Sequence, residues 1–333
     1  MSERLKFGII GAANIAQRRF MPGMLKCAKA EVVAVASRDI AKAEAFRAQF
    51  GIHKAYGNYD ALLADSEINA VYIPLPNHLH AEWTIKAADS GKHVLCEKPL
   101  TLDAGEALKV VEHCKSCGVK LMEAFMYRLN PRTIKMKQLV DEGIIGEPRV
   151  VLSDFAFNLE PRHSSCLLPD GGAGSLMDVG CYCVNVSRYL FGAEPVAASA
   201  FMNPHPEIGC DTTFSGILDF GGGRSALFNS SFETAFRSSL TVAGTEGVVR
   251  VNKPFTPPEE GKIGFSVERR DGSIEEIQFD AVDQFQVEID AFSSSVIEDQ
   301  PVPLDPEADA VANMRAIDLL RAAAVERRLV EAR

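Results

Sequence analysis

The chain has 333 residues and carries 35 Lys and Arg against 45 Asp and Glu, a formal net charge of −10. Its 47% hydrophobic content is that of an ordinary globular protein, which excludes disorder of the whole chain, and its length predicts two domains because a single core rarely grows so large. The acidic balance argues against binding to nucleic acid or an anionic membrane, since both need clustered Lys and Arg.

Targeting and membrane signals are also missing from the sequence. The opening MSERLKFGIIGA has one short apolar run and no small-residue cleavage site, so we expect no signal peptide. No stretch reaches the roughly 18 uninterrupted apolar residues of a membrane-spanning helix. The eight cysteines do not form a disulfide framework typical of small secreted chains, and we expect reduced thiols and a cytoplasmic location.

Strand and helix patterns alternate in the first third of the chain. Near-continuous apolar runs predict strands at Leu5–Ile10, Glu31–Ser37, Ala70–Pro74, His93–Cys96 and Val119–Glu123. Helices are predicted at Asn14–Cys27, Ile40–Phe50, Tyr59–Leu63, His80–Ser90 and Asp103–Cys117. Such runs are typical of parallel strands buried on both faces, so residues 1–123 are predicted to form a doubly wound Rossmann domain, an α/β fold.

After residue 124 the strands follow one another instead. Helices are predicted at Pro131–Glu142 and Leu176–Phe191, and strands at Arg149–Phe157, Val196–Phe201, Thr212–Phe220, Arg224–Phe232, Ser239–Ala243, Val248–Val251, Gly264–Arg269 and Ile274–Phe279. Two helices close the chain, one with an apolar stripe at Phe285, Ile289, Phe292 and Val296, and one that begins at Asp305-Pro306. Residues 124–333 are therefore predicted to form an α+β domain with a large, open, mainly antiparallel sheet.

A degenerate phosphate-binding loop stands where the first strand meets the first helix. In GIIGAANIA, the G-x-G-x-x-[GA] positions are Gly11, Ala13 and Ala16. A helix N-terminus offers unpaired N–H groups to a pyrophosphate, so Gly11, Ala12, Ala13, Asn14 and Ile15 are candidate cofactor ligands. The alternative is a tight strand-to-helix turn with no ligand.

The end of the second strand is where Rossmann domains select their cofactor. Asp or Glu at this position favours NAD, but this strand ends in Ser37 and Arg38, followed by Asp39. Ser37 leaves room for a 2′-phosphate and Arg38 can pair with it, so NADP is predicted, with NAD as the alternative. Arg38 could instead be a solvated residue at a strand end.

Two further segments carry candidate catalytic groups. Glu97, Lys98 and Pro99 follow a strand, at the sheet edge where α/β proteins bind ligands. A glycine-rich loop then leads into a helix with Asp178 and Tyr182 on one face. A phenol near an ammonium group has a lowered pKa and can shuttle protons. A surface lysine and a packed Tyr–Asp pair are the alternatives.

The remaining candidates are weaker. Arg162 and His163 lie in a polar loop and could contact substrate hydroxyls, or belong to a surface lid. The histidines show no metal-binding spacing, and Cys114 and Cys117 fit two thiols near a helix end, so we expect no metal.

Five segments together resemble the Gfo/Idh/MocA oxidoreductase family. They are the GAANIA loop, PLPNHLHAE, CEKPL, EAFMYRLNP and GGAGSLMDVGCYCVNVSRYLFG, which span nearly the whole chain. The resemblance implies that Lys98 is the catalytic lysine, Tyr182 the acid/base and Asp178 its supporting acid. It further implies that Glu97 lies by the nicotinamide ribose, that Arg128 lies near cofactor and substrate, and that Pro74, Leu75, Asn77 and His80 line the nicotinamide.

The resemblance is nearest to the branch of glucose–fructose oxidoreductase, xylose dehydrogenase and sugar 3-ketoreductase. It implies an NADP-dependent enzyme that transfers hydride to or from a small sugar-like substrate, with Lys98 stabilising the oxyanion. It also implies a homodimer or homotetramer formed through the C-terminal sheet. Two alternatives stay open: oxidation of a non-sugar diol by an enzyme like trans-dihydrodiol dehydrogenase, and a non-catalytic, dinucleotide-sensing regulator. Ala13 is the main departure from the family pattern.

Overall fold

The computed structural model describes residues 4–159, 167, 172–205 and 209–332. The chain forms two compact units, Met1–Met126 with Asp283–Val311 and Tyr127–Val282 with Ala312–Arg333. The chain thus returns to the first unit late in its course, whereas the sequence predicted two consecutive domains that meet at residues 123 and 124.

The first unit is built on a six-stranded parallel sheet with the order β3-β2-β1-β4-β5-β6. Its strands are β1 Leu5–Ile10, β2 Ala30–Ala36, β3 Lys54–Tyr56, β4 Ala70–Ile73, β5 His93–Glu97 and β6 Leu121–Ala124. The order in which the chain adds strands reverses between β1 and β4, and proteins of this fold bind ligands outside the carboxyl ends of the strands at such a point. The predicted doubly wound fold is confirmed.

Helices connect these strands. Helix α1 comprises a π-helical turn, Ala16–Phe20, and an α-helical turn, Met21–Met24; the others are α2 Ile40–Phe50, α3 Tyr59–Leu63, α4 His80–Asp89 and α5 Ala104–Ser116. Helix α5 begins where the Asp103 side chain accepts a hydrogen bond from the Glu106 amide at 2.8 Å. The Asp103 side chain therefore caps the N-terminus of α5.

The second unit is built on a nine-stranded sheet with the order β14-β13-β12-β11-β7-β10-β9-β8-β15. Its strands are β7 Pro148–Asn158, β8 Ala197–Pro204, β9 Asp211–Asp219, β10 Ser225–Ser231, β11 Glu233–Gly244, β12 Gly247–Asn252, β13 Lys262–Arg269, β14 Ile274–Asp280 and β15 Val330–Glu331. The sheet is mainly antiparallel, as predicted, but β10 pairs with β7 in parallel.

Helices pack against this sheet within the second unit. They are α6 Pro131–Asp141, α7 with its π-helical turn Leu176–Gly180 and α-helical segment Cys181–Phe191, and α9 Ala312–Glu326. Between α7 and α9 in the chain, α8 Gln284–Ile297 belongs to the first unit. Helix α8 contributes its predicted apolar stripe to the first unit, where Phe292 lies 6.0 Å from Phe7 between ring centroids. The stripe explains why the chain returns there, since it completes a core that the Rossmann strands begin.

No helix in the described ranges is long and apolar enough to cross a membrane. Every cysteine within those ranges is a free thiol.

Candidate active site

The loop after β1 is held tightly against its surroundings. Gly11 has a φ of +111°, and a Cβ atom there would lie 2.8 Å from Leu75 Cδ2. The Gly11 amide donates to the Ala36 carbonyl at 2.9 Å, and the Ala13 amide donates back to the Gly11 carbonyl at 2.9 Å. Only glycine fits position 11, whereas Ala13 stands at a half-buried position that tolerates its methyl group.

The next loop, after β2, presents the predicted cofactor selector. Ser37 is buried and Arg38 exposed, while the Asp39 carboxylate caps α2 by accepting from the Ala41 amide at 3.0 Å. Burial raises the pKa of Tyr59, and the nearby Arg38 guanidinium opposes this shift. Because Asp39 is engaged as a helix cap, Arg38 is the charged side chain that this strand end offers to a ligand.

His80 joins two loops at the same sheet edge. It is fully buried, and its two ring nitrogens lie 2.8 Å from the Pro99 carbonyl oxygen and 2.7 Å from the Leu75 carbonyl oxygen. Burial lowers its pKa to about 4, so the ring is neutral at pH 7. Within the first unit His80 therefore positions the loop after β4, which contains Pro74, Leu75 and Asn77, against the loop after β5.

Glu97 is the last residue of β5, and Lys98 follows it. Glu97 is buried and accepts a hydrogen bond from the Tyr72 hydroxyl at 2.7 Å and another from the Lys98 amide at 3.3 Å. The Tyr72 ring stacks on Phe20, with centroids 3.7 Å apart. Glu97 is thus fixed by the sheet beneath it, and Lys98 follows as a half-buried residue at the carboxyl edge.

In the second unit, a buried carboxyl group starts the helix that carries the other candidates. Asp211 Oδ2 accepts from the Ser175 hydroxyl at 2.7 Å and from the Leu176 amide at 2.8 Å. Gly174, with a φ of +117°, leaves no room for a side chain, because a Cβ atom would lie 2.1 Å from Asp211 Oδ1. Burial raises the pKa of Asp211, and these hydrogen bonds oppose the shift.

Asp178 and Tyr182 both lie on α7, as predicted. Asp178 is in the π-helical turn and half-buried. Tyr182 is the second residue of the following α-helical segment and is 5% exposed. Three rings surround Tyr182, with centroid distances of 5.8 Å to Tyr127, 5.5 Å to Phe155 and 5.3 Å to Phe255. This aromatic group holds the Tyr182 ring in one place within an apolar environment.

Arg128 packs onto the same helix. Its Nη1 donates to Asn185 Oδ1 at 3.1 Å, and its guanidinium carbon lies 3.8 Å from the centre of the Tyr189 ring. Asn185 is fully buried and also accepts from the Tyr127 hydroxyl at 2.6 Å. Helix α7 therefore fixes Arg128 in the unit that carries Tyr182.

The predicted site residues thus fall into two sets, one in each unit. The set in the first unit lies at or after strand ends of the six-stranded sheet. Its members are Gly11, Ala12, Ala13, Asn14, Ile15, Ser37, Arg38, Pro74, Leu75, Asn77, His80, Glu97 and Lys98. Asp178, Tyr182 and Arg128 gather at α7. Arg162 and His163 lie outside the described residues. Sequence reasoning missed Tyr72, Asn185 and Asp211, because each acts through a partner distant in the chain.

Two family models match the chain. The oxidoreductase family with an NAD-binding Rossmann fold, GFO_IDH_MocA, matches residues 5–125. The GFO/IDH/MocA C-terminal domain matches residues 133–250.

Individual relatives cover most of the chain. A protein named D-xylose 1-dehydrogenase (NADP(+)) 2 from Haloferax volcanii is 40% identical over 319 residues, 95% of this chain and 96% of the relative. Trans-1,2-dihydrobenzene-1,2-diol dehydrogenase from Mus musculus is 35% identical, over 77% of each chain. The crystal structure of KijD10, a 3-ketoreductase from Actinomadura kijaniata in complex with NADP and TDP-benzene, superposes with a TM-score of 0.91 at 32% identity, over 96% of this chain and 98% of that one.

Proposed function

We propose that this chain, which belongs to the Gfo/Idh/MocA oxidoreductase family, is an NADP-dependent enzyme that interconverts a hydroxyl and a carbonyl group of a small sugar-like substrate. The chain is an oxidoreductase by family, and the relatives named above are dehydrogenases and reductases, which disfavours the non-catalytic regulator. The similarity to an NADP-dependent xylose dehydrogenase along 95% of this chain is the main support for the proposal.

The residues after β1 and β2 fit a dinucleotide phosphate. Gly11 leaves its loop without a side chain, so that a pyrophosphate can approach the backbone at the start of α1. Ser37 and Arg38 fit an adenosine 2′-phosphate. A carboxylate at this strand end binds the ribose in NAD sites, but the Asp39 carboxylate caps α2 instead, which supports NADP over NAD. We propose NADP as the cofactor, bound by the first unit.

The bound nicotinamide supplies or accepts a hydride. In the reductive direction, Tyr182 donates a proton to the developing alkoxide, and the Lys98 ammonium stabilises the negative charge on that oxygen. Asp178 orients the substrate, and Arg128 also contributes to cofactor or substrate binding. Arg162 and His163 are proposed to contact substrate hydroxyls. These roles come from the resemblance and agree with the position of each described residue in its own unit.

The first experiment on this proposal is a substrate panel with matched variants. Lys98→Ala and Tyr182→Phe are expected to lower turnover of D-xylose or another aldose by about 100-fold or more, the range that acid–base catalysis contributes, with NADPH affinity nearly unchanged. Lys109→Ala on α5 serves as the control. Wild-type turnover in either variant would remove that residue from catalysis.

A specific similarity favours one second candidate. The 35% identity to trans-1,2-dihydrobenzene-1,2-diol dehydrogenase, over 77% of this chain, supports an aromatic diol as the substrate. The same panel separates the two, since faster turnover of the aromatic diol than of any sugar would replace the sugar proposal.

We propose that the nine-stranded sheet joins copies of this chain into a homodimer or homotetramer. Leu227 on β10 stands opposite Leu152 on β7 and Ile217 on β9. These three side chains are 37%, 44% and 46% exposed, so one sheet face carries an apolar row that a second copy could cover.

A further inference from the structure

One group of side chains able to bind a metal ion lies apart from the candidate active-site residues. Within the part of the chain that the structure describes, Asp89, His113 and Cys117 place a carboxylate oxygen, a ring nitrogen and a sulfur within 4.8 Å of one another. Asp89 ends α4, His113 lies in the last turn of α5, and Cys117 caps α5. All three belong to the first unit.

We propose that Asp89, His113 and Cys117 form a binding site for a borderline divalent transition metal, Zn²⁺ above all. Zn²⁺ takes carboxylate, imidazole and thiolate ligands in tetrahedral sites, and three protein ligands leave its fourth position for water.

The distances are close to those of a tetrahedral centre. With Zn–N and Zn–S bonds of about 2.0 and 2.3 Å, a tetrahedral ion separates the nitrogen and sulfur by roughly 3.5 Å. His113 Nε2 and Cys117 Sγ are 3.6 Å apart. Asp89 Oδ1 lies 2.7 Å from the same nitrogen, so its carboxylate must withdraw by about half an ångström to admit an ion. Asp89 is exposed and has room for that movement.

The surrounding backbone favours a cation at this place. Helices α4 and α5 both end at the group, and the C-terminal end of a helix carries partial negative charge. A carboxylate is unfavourable at the end of α4, and a thiolate is unfavourable at the end of α5. A divalent ion would offset the negative ends of both helices and the Asp89 carboxylate at once.

Neighbouring groups define the ligand set. Cys114 is 1% exposed, and it is not one of the three side chains that come together. Cys117 is the exposed member of the pair. Sequence spacing missed the site because His113 and Cys117 stand one helical turn apart, while the third ligand comes from another helix.

The position of the site gives it a structural role. Helices in a doubly wound fold run opposite to the strands that precede them, so the ends of α4 and α5 lie at the amino edge of the sheet, away from Gly11 and Lys98. The ion would join the two helix ends and stabilise the first unit.

Cobalt titration of the full chain tests the site directly. Protein freed of metal by a chelator and kept reduced is expected to bind one Co²⁺, with a thiolate-to-cobalt absorption band in the near ultraviolet, and Zn²⁺ should displace it. Cys117→Ser should lose the band, and both Cys117→Ser and His113→Ala should bind at least about tenfold more weakly, since even outer-shell partners of metal ligands contribute that much. The exposed His53→Ala is the control and should match the wild type.

Thermal unfolding gives a second readout that does not depend on the spectrum. Zn²⁺ should raise the Tm of the wild type and of His53→Ala but not that of Cys117→Ser. The proposal is overturned if the wild type shows no thiolate band, if the band survives in Cys117→Ser, or if Zn²⁺ changes the Tm of the wild type and of Cys117→Ser equally.

Discussion

Single residues in this chain hold the candidate site in shape by satisfying groups that are distant in sequence. His80 contacts two backbone carbonyls on separate loops, and Asp211 starts α7 from a neighbouring strand. The sequence predicted candidate catalytic roles for Lys98 and Tyr182 from motifs. It could not predict these buried supports, because the value of a buried hydrogen bond depends on which partner the fold brings to it.

His80 should make the stability of the protein pH-dependent. Burial lowers its pKa from 6.5 to about 4, so between these pH values the unfolded chain binds the proton more readily than the folded chain does. The free energy of unfolding should be highest above about pH 6.5 and decrease by up to about 3 kcal/mol as the pH falls to about 4.

Denaturant unfolding from pH 7 to pH 4 measures this effect. His80→Gln cannot titrate and should lose this part of the pH dependence, whereas the exposed His53→Gln should keep it. Equal pH dependence in the wild type and His80→Gln would show that His80 titrates alike in both states.

Asp211 should stabilise the start of α7. Asp211→Ala removes a cap and leaves the buried Ser175 hydroxyl and Leu176 amide without this acceptor, a loss of about 2 kcal/mol in the free energy of unfolding. Turnover should decrease as well, because α7 carries Asp178 and Tyr182. The exposed Asp280→Ala on β14 is the matched control, and wild-type stability of Asp211→Ala would contradict the assignment.

The sequence predicts the bounds of secondary-structure elements best where an element is buried along its whole length. The apolar runs of β1, β2, β4 and β5 are strands with nearly the predicted ends. Strand β3 was missed because its three residues are only half-buried and carry no apolar run. The parallel pairing of β10 with β7 was also missed, since consecutive strands favour antiparallel neighbours and pairing across the chain leaves no local pattern.

At the scale of the molecule, the sequence predicts two folded units but not the full path of the chain between them. The apolar stripe on α8 predicted a buried face, but its pattern does not indicate which core that face belongs to. In the structure Phe292 packs against Phe7 in the first unit. Apolar periodicity indicates that one face of a helix is buried, but it does not indicate which element that face packs against.

A substitution in the exposed apolar row of the nine-stranded sheet tests whether copies of the chain assemble through this face. Leu227→Glu places a charge in the exposed row formed with Leu152 and Ile217, and is expected to convert a dimer or tetramer to monomers in light scattering, because an unpaired charge is costly in a buried interface. Ile274→Glu, on the edge strand β14, should leave the assembly unchanged. An unaltered mass for Leu227→Glu would place any interface elsewhere.

A fluorescence titration with NADPH and NADH, on protein shown to be folded and free of bound cofactor, tests whether this oxidoreductase uses NADP. The wild type should bind NADPH clearly more tightly than NADH, and Arg38→Ala should lose most of this preference while its NADH affinity stays the same. Tighter binding of NADH would contradict the role of Ser37 and Arg38. Binding of neither nucleotide would contradict the assignment of the loop at Gly11 and, with it, the proposed reaction.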